Sequence, residues 1–413
     1  MRAARLHPVT DAEHECPHCR ARLGVRGWHV PGMRNLADLL CTTCGREFYG
    51  DLASGQALYT PMLLDKATGA VHGQHGVGWF AAWLRDSYAR RVDEAIPFDV
   101  REGRAITKPV VLLNCLDTLY GHSLLKLLNA QYYLDRRADV DLVVMVPSLL
   151  AWMVPDGVAQ VWSVGLPLRR GTEWNEWLAR EVRRRVEAFD AVSLGHALSH
   201  PRLDEFDIER FTRVKPFPLG EWGARLERPT VTFIWRDDRP WRDPVNIAPS
   251  GRLGRLINSR SRASGEQSVW VSELADALRR DMLAIDFAVT GLVKNATRVE
   301  LPEWVKDLRR TALDDGAERA WCERYAESHL VVGIHGSNML LPSAHAGGVV
   351  EFIGPGRWGN FAQDVLFRDT GDCREAFFRY RFVDEATPPT AVAQLVNLIV
   401  TKRESFRHLM NVF

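Results

Sequence analysis

Short apolar runs alternating with helix-period stretches fill the chain from Pro109 onward. Val110 to Asn114, Asp141 to Val146, Val158 to Val164 and Ala191 to Leu194 read as strands, with helices around His122 to Arg137 and Glu173 to Phe189 between them. A polar, proline-containing passage, His196 to Pro229, interrupts the pattern. It restarts with Val231 to Trp235 as a strand, Val269 to Met282 as a helix, Ala284 to Leu292 as a strand and Gly316 to Glu327 as a helix. Leu330 to Ile334 and Gly348 to Ile353 follow as strands. Asn360 to Arg368 then reads as a helix, Phe377 to Phe382 as a strand and Ala391 to Met410 as a terminal helix. Continuous apolar strands alternating with helices indicate parallel sheets covered on both faces. The expected fold class is therefore α/β, with two Rossmann-like domains, 109–215 and 216–413.

The earlier part of the chain has a different organisation. Cys16-Pro-His-Cys19 and Cys41-Thr-Thr-Cys44 are two knuckles whose spacing can bring four thiolates around one tetrahedral Zn²⁺. This predicts a small N-terminal zinc-ribbon module over residues 1–58, with the metal organising a segment too small to fold alone. A helical connector, 59–108, follows, with an amphipathic stretch from Trp79 to Val92. His14 and His18 are competing ligands. His72 and His75, on an expected loop, could also bind metal, although loop histidines are more often simply exposed.

A net charge of +1, with 53 Lys plus Arg against 52 Asp plus Glu, gives no bulk electrostatic reason for binding to nucleic acid or membrane. Contact with nucleic acid would have to be local, through Arg20, Arg22, Arg26, Arg34 and Arg46 of the ribbon. No apolar window reaches the length of a membrane span, and the start lacks the apolar core of a secretory signal. A cytoplasmic protein is expected, and cysteines in C-x-x-C pairs fit metal binding in a reducing compartment.

Candidate chemistry lies where strands end. Leu330 to Ile334 runs into His335-Gly336-Ser337-Asn338, a turn suited to a diphosphate, since a helix starting there would point free N–H groups outward. Glu351, on the next strand, faces the same edge and suits a sugar or ribose hydroxyl, while Asn360, Gln363 and Asp364 could meet further hydroxyls. Arg236 and Arg239 end the strand Val231 to Trp235, and guanidinium forks neutralise phosphate oxygens. Between them, Asp237 and Asp238 offer either a cation-binding pair or salt bridges to neighbouring arginines. In the first half, Asp117 and His122 follow the strand Val110 to Asn114, and either could act as general base. Asp117 could equally cap the helix near Tyr120.

Gly333-Ile-His335-Gly336-Ser337-Asn338, with Pro342, Val349-Val-Glu351 and Trp358-Gly-Asn360-Phe-Ala-Gln363-Asp364, resembles the donor-binding segment of inverting GT-B glycosyltransferases. The likeness is nearest to the family of plant xylosyltransferases and secretory-pathway protein O-GlcNAc transferases. Ile234-Trp-Arg236-Asp-Asp238 is also similar to the arginine motif of α-1,6-fucosyltransferases. The resemblance implies two Rossmann-like domains facing a donor and acceptor cleft. It also implies metal-independent, inverting transfer of a hexosyl or pentosyl group from a nucleotide-diphosphate sugar, with uracil and guanine both open as the base. The acceptor would be a saccharide, protein or small molecule. Two other readings of the same residues are a nucleotide-binding zinc-ribbon adaptor without catalysis and a sugar-nucleotide epimerase or hydrolase.

Overall fold

The computed structural model describes residues 4–5, 14–52, 54, 62–73, 78–201, 206–241, 260–293, 300–361, 363–368 and 371–411. The chain divides into two compact units, Met1–Arg202 and Leu203–Phe413.

In the first unit, β1 (Ala4–Arg5) precedes a five-stranded antiparallel sheet made of β2 (Gly24–His29), β3 (Leu36–Leu40), β4 (Glu47–Asp51), β5 (Leu63–Asp65) and β6 (Val71–His72). This sheet carries the cysteine knuckles and runs past residue 58 to His72, so His72 is a strand residue; His75 lies outside the described residues. Segment 59–108 contributes β5 and β6 to that sheet, the helix Gly78–Ala89, and β7 (Phe98–Glu102). The α/β sheet then adds β8 (Val110–Asn114), β9 (Asp141–Pro147), β10 (Gln160–Val164) and β11 (Val192–Leu194). Its order is β1-β11-β8-β9-β10-β7, with β11, β8, β9 and β10 parallel and both edge strands antiparallel. The helices Tyr120–Arg136 and Glu176–Val186 connect the parallel strands.

The cysteine-bearing head is continuous with the α/β core of this unit. Leu23, Trp28, Leu39 and Phe48 of the head are buried in one cluster with Val110, Leu112, Val143, Trp162 and Leu178. Asn114, at the end of β8, donates from Nδ2 to the Gly32 carbonyl and to Asn35 Oδ1, each at 2.9 Å. Large apolar side chains are worth about 1.5–3 kcal/mol each when fully buried, so this shared core ties the head to the α/β sheet of the unit.

In the second unit, β12 (Thr230–Arg236), β13 (Asp286–Leu292), β14 (Lys306–Asp307), β15 (Leu330–Ile334), β16 (Val349–Ile353) and β17 (Tyr380–Asp384) form an all-parallel sheet. Its order, β14-β13-β12-β15-β16-β17, is the doubly wound Rossmann arrangement, three strands growing outward on each side of the β12/β15 junction. Strand alternation sorts the core. Val231, Phe233 and Trp235 pack on one face in the cluster that takes in residues of the helices Arg260–Asp281 and Pro389–Met410, and Ile234 packs on the other with Trp321 and Tyr325 of the helix Asp315–Glu327.

Two expected elements differ. The described residues of Asn360 to Arg368 form no α-helix: Asn360 ends the 3₁₀ turn Pro355–Asn360, and the N–H groups of Leu366 and Arg368 bond to side chains. Leu366 N–H donates to Ser343 Oγ and Arg368 N–H to Tyr380 Oη, each at 2.9 Å. Phe377 to Phe382 begins as the helix Cys373–Arg379 and becomes strand only at Tyr380. Asp372 caps that helix by accepting from Arg374 N–H, and buried Glu375 pairs with Arg403 of the terminal helix. Helical spacing thus lets the carboxylate reach Arg403, which a strand reading of the apolar run ignores. The stretch Arg252 to Arg262, rich in Arg, Ser and Gly, reads from its composition as a loop; residues 252–259 lie outside the described residues, and the chain is helical from Arg260.

Candidate functional site

Each α/β sheet has one place where strand order reverses, and ligands of such folds collect at the carboxyl ends of those strands. In the second unit that place lies between β12 and β15. Arg236 closes β12, and Asp238 occupies its guanidinium fork, accepting from Nε at 3.0 Å and Nη2 at 2.6 Å. Nη1 of Arg236 reaches across to Asn338 Oδ1 at 2.7 Å and the His335 carbonyl at 3.3 Å. Arg239 donates to the same carbonyl at 2.7 Å. Burial lowers the affinity of Arg239 for its proton, and the charges of Arg236 and Arg357 lower it further. Two guanidinium groups, Arg236 and Arg239, therefore share one strand-end turn, and the charge of Arg357 is felt at Arg239. Arg357, in the 3₁₀ turn Pro355–Asn360, is absent from the residues singled out in the sequence, because nothing in its local pattern marks it.

Gly336 makes the crowding feasible. Its φ of +146° is a conformation essentially reserved for glycine, and a Cβ there would stand 2.3 Å from Arg236 Nη1. Beyond it, Ser337–Met339 is a 3₁₀ turn and the following helix, Leu340–His345, has only six residues. The helix dipole expected from the sequence is correspondingly small, and positive charge at this turn comes chiefly from side chains.

Glu351 differs from its expected position at a sugar hydroxyl. It is fully buried on β16, and its Oε1 lies 3.0 Å from His335 Nδ1. Burial raises its carboxyl to about 7, with His335 opposing the rise. His335 is 1 % exposed, and its Nε2 has no hydrogen-bond partner among the described residues; Asp364 Oδ2 stands 3.6 Å away. Gln363 N–H donates to the Asn360 carbonyl at 3.1 Å, and both residues lie in the turn that leads to Asp364. Asp237 accepts from the Trp235 indole at 2.7 Å, so the two neighbouring aspartates serve different partners.

In the first unit the order reverses between β8 and β11. Asp117, three residues beyond β8, is 2 % exposed, with Lys126 Nζ at 2.7 Å from Oδ2 and His122 Nδ1 at 3.4 Å from Oδ1. Its Oδ1 also accepts from the N–H groups of Thr118 and Leu119, at 2.8 and 3.2 Å. Burial works to raise this carboxyl, but the Lys126 and His122 charges prevail and hold it well below the usual carboxylate range. Asp117 is thus a poor proton acceptor. The helix Tyr120–Arg136 takes no side-chain cap from it: Asp117 ties down the preceding turn instead. His122 is half-exposed, packs edge-on against His200 at 5.5 Å, and is the member of the pair able to meet a substrate. Gly171 lets a second segment approach, since a Cβ there would lie 2.4 Å from the Asp117 carbonyl.

The knuckle sulfurs of Cys16, Cys19, Cys41 and Cys44 all lie within 4.8 Å of one another. The Cys16–Cys44 and Cys19–Cys41 separations, 3.6 and 3.4 Å, approach the roughly 3.8 Å between ligands of a tetrahedral Zn–S₄ site. Each knuckle closes through a left-handed residue four positions after its first cysteine, Arg20 and Gly45, whose N–H returns to the carbonyl of Cys16 or Cys41. The set fits zinc. Of the ribbon arginines, Arg26 pairs with Asp38 and Glu47, Arg34 with buried Asp51, and Arg46 with Asp65, so much of their charge is already answered.

No helix among the described residues is long and apolar enough to cross a membrane. No protein-family model matches the chain, and no curated protein matches it. Among solved structures, the ADP-heptose lipopolysaccharide heptosyltransferase II of E. coli is similar over 72% of this chain and 100% of its own, at 13% identity and a TM-score of 0.35. The wall teichoic acid polymerase TagF is similar over 74% of this chain and 83% of its own, at 9% identity and a TM-score of 0.29. TarM is similar over 99% and 76%, at 8% identity and a TM-score of 0.25. Likeness at this level leaves fold and activity to be argued from the chain's own residues.

Proposed function

We propose that the protein is a glycosyltransferase of GT-B type that moves a sugar from a nucleotide-diphosphate donor to an acceptor hydroxyl with inversion. The observation that carries this reading is the convergence of Arg236 and Arg239 on the Gly336 turn, at the reversal of a Rossmann-ordered sheet, with the charge of Arg357 acting on Arg239. Such a cluster suits a diphosphate and supplies the positive charge that a divalent cation would otherwise bring. Transfer then needs no metal at the donor, and the cysteine-bound zinc serves folding.

The Asp117–His122 pair supplies the base. With the carboxylate at Nδ1, the imidazole can take the acceptor proton at Nε2. The acceptor oxygen bonds to the anomeric carbon while the carbon–oxygen bond to the diphosphate breaks, leaving its electron pair on the diphosphate. Guanidinium donors stabilise that developing charge, with Asp238 yielding the Arg236 fork to phosphate. Glu351 acts through His335 by holding its Nδ1 and so fixing the orientation of the ring. Asn360, Gln363 and Asp364, on the neighbouring turn, are assigned to donor hydroxyls.

The test is turnover of UDP- and GDP-sugars by the purified chain against a panel of saccharide, peptide and small-molecule acceptors. Arg236→Ala and His335→Ala should each abolish transfer while keeping the wild-type circular dichroism. Full activity in both variants would overturn the assignment. Donor breakdown without an acceptor would instead indicate a hydrolase or epimerase.

A further inference from the structure

His18, Asp65 and His72 come together in the head from three separate pieces of sequence: the first cysteine knuckle, the end of β5 and the end of β6. One nitrogen or oxygen from each lies within 4.8 Å of the others, and His18 Nε2 stands 3.6 Å from Asp65 Oδ2. Ligands at the usual zinc–nitrogen and zinc–oxygen lengths in a tetrahedron are about 3.4 Å apart. The surrounding structure fixes each side chain. His18 stacks on Phe48, ring centroids 6.2 Å apart, and meets His72 edge-on at 5.7 Å. Asp65 spends Oδ1 on the N–H groups of Ala67 and Thr68, each at 2.9 Å, which leaves Oδ2 for the cluster. Ligand carboxylates are commonly oriented by outer hydrogen bonds of this kind.

An independent observation points to a ligand. His72 Nε2 is buried and has no hydrogen-bond partner among the described residues, although an unsatisfied buried polar atom costs about 1–3 kcal/mol. Asp65 Oδ2 also meets Arg46 Nη1 at 3.4 Å, and Arg46 is 43% exposed. That contact is long, and the arginine has solvent to move into.

We infer that His18, Asp65 and His72 form a second divalent-cation site, separate from the four cysteines and open to water or an exogenous ligand. Two imidazoles and one carboxylate suit Zn²⁺ or a similar borderline ion, with three protein ligands and one position unfilled. The closed cysteine site holds the fold, whereas this one can exchange its metal and bind a further oxygen or nitrogen donor. The inference does not depend on the glycosyl-transfer reading.

The test is zinc content of the intact chain, dialysed against excess Zn²⁺ and measured by elemental analysis, with protein quantified by amino-acid analysis. Wild-type protein should carry two equivalents. His72→Ala and His18→Ala should each lose one while keeping the other and the wild-type near-ultraviolet circular dichroism. Cobalt replacement gives a second readout: the ion lost from the variants should lack the sulfur-to-metal charge-transfer band that the retained ion shows. A single equivalent in wild-type protein, or two retained in both variants, would overturn the inference. Should one variant fail to fold, the other and Asp65→Asn carry the same comparison.

Discussion

The two sheets reverse their strand order in the same way but furnish the reversal with opposite chemistry. Beyond β12 and β15, Arg236 and Arg239 bring cationic groups to a glycine turn, and the charge of Arg357 acts on Arg239. Beyond β8, a single carboxylate, Asp117, is neutralised by buried Lys126 and leaves an imidazole, His122, half-exposed. In the proposed reading, one reversal accepts an anion and the other handles a proton. A common backbone topology thus selects where chemistry occurs, and the first few residues past each strand select which chemistry.

The sharpest way to break this contrast is His122→Ala. Loss of a general base should lower kcat by roughly 10²–10⁴-fold while leaving nucleotide affinity unchanged. Steady-state transfer assays beside calorimetric titration check both halves of that statement. Next in size is Lys126→Met, which strands the buried Asp117 carboxylate. Breaking a buried pair typically costs about 3–5 kcal/mol, read by urea unfolding, and adding Asp117→Asn should recover much of it. A neutral Lys126→Met would mean that the carboxylate is not held charged.

A smaller effect is expected from Gly336→Ala in the other unit. The positive φ and the 2.3 Å approach to Arg236 predict a cost of about 1–3 kcal/mol, together with weaker diphosphate binding. Unchanged melting and affinity would show that the arginines do not depend on this turn. A further effect concerns pH. The Glu351 carboxyl rises from 4.5 to about 7, so the native chain keeps a proton that the unfolded chain releases between those values. Its contribution favours folding below about pH 4.5 and is lost as pH rises through about 7. Glu351→Gln should flatten the stability profile across that window, measured by urea unfolding at successive pH values.

Much of the second unit is legible as sequence. Continuous apolar runs such as Leu330 to Ile334 and the polar turn after them announce a buried parallel strand and its ligand-facing end. The first unit reads less completely. Ribbon and α/β sheet share one hydrophobic cluster through contacts such as Trp28 with the first-unit core, and no local pattern reports that pairing. The same reason hides Arg357 and the roles of Asp117 and Glu351. Lys126 lies nine residues beyond Asp117, within the helix Tyr120–Arg136, and becomes its partner only once that helix forms beside the turn. Glu351 reads as a ligand contact until β16 seats it beneath His335. His18, Asp65 and His72 are likewise separated in sequence and joined by the antiparallel head.

The central claim is that a nucleoside diphosphate binds at the β12/β15 reversal through its guanidinium cluster. Calorimetric titration of UDP, GDP, ADP and TDP into wild-type protein and Arg239→Ala tests it directly. One diphosphate should bind wild-type protein selectively, and Arg239→Ala should weaken it by roughly 10–100-fold, the loss of a charge-assisted hydrogen bond. Absence of binding across the panel, or equal affinity in the variant, would contradict the account.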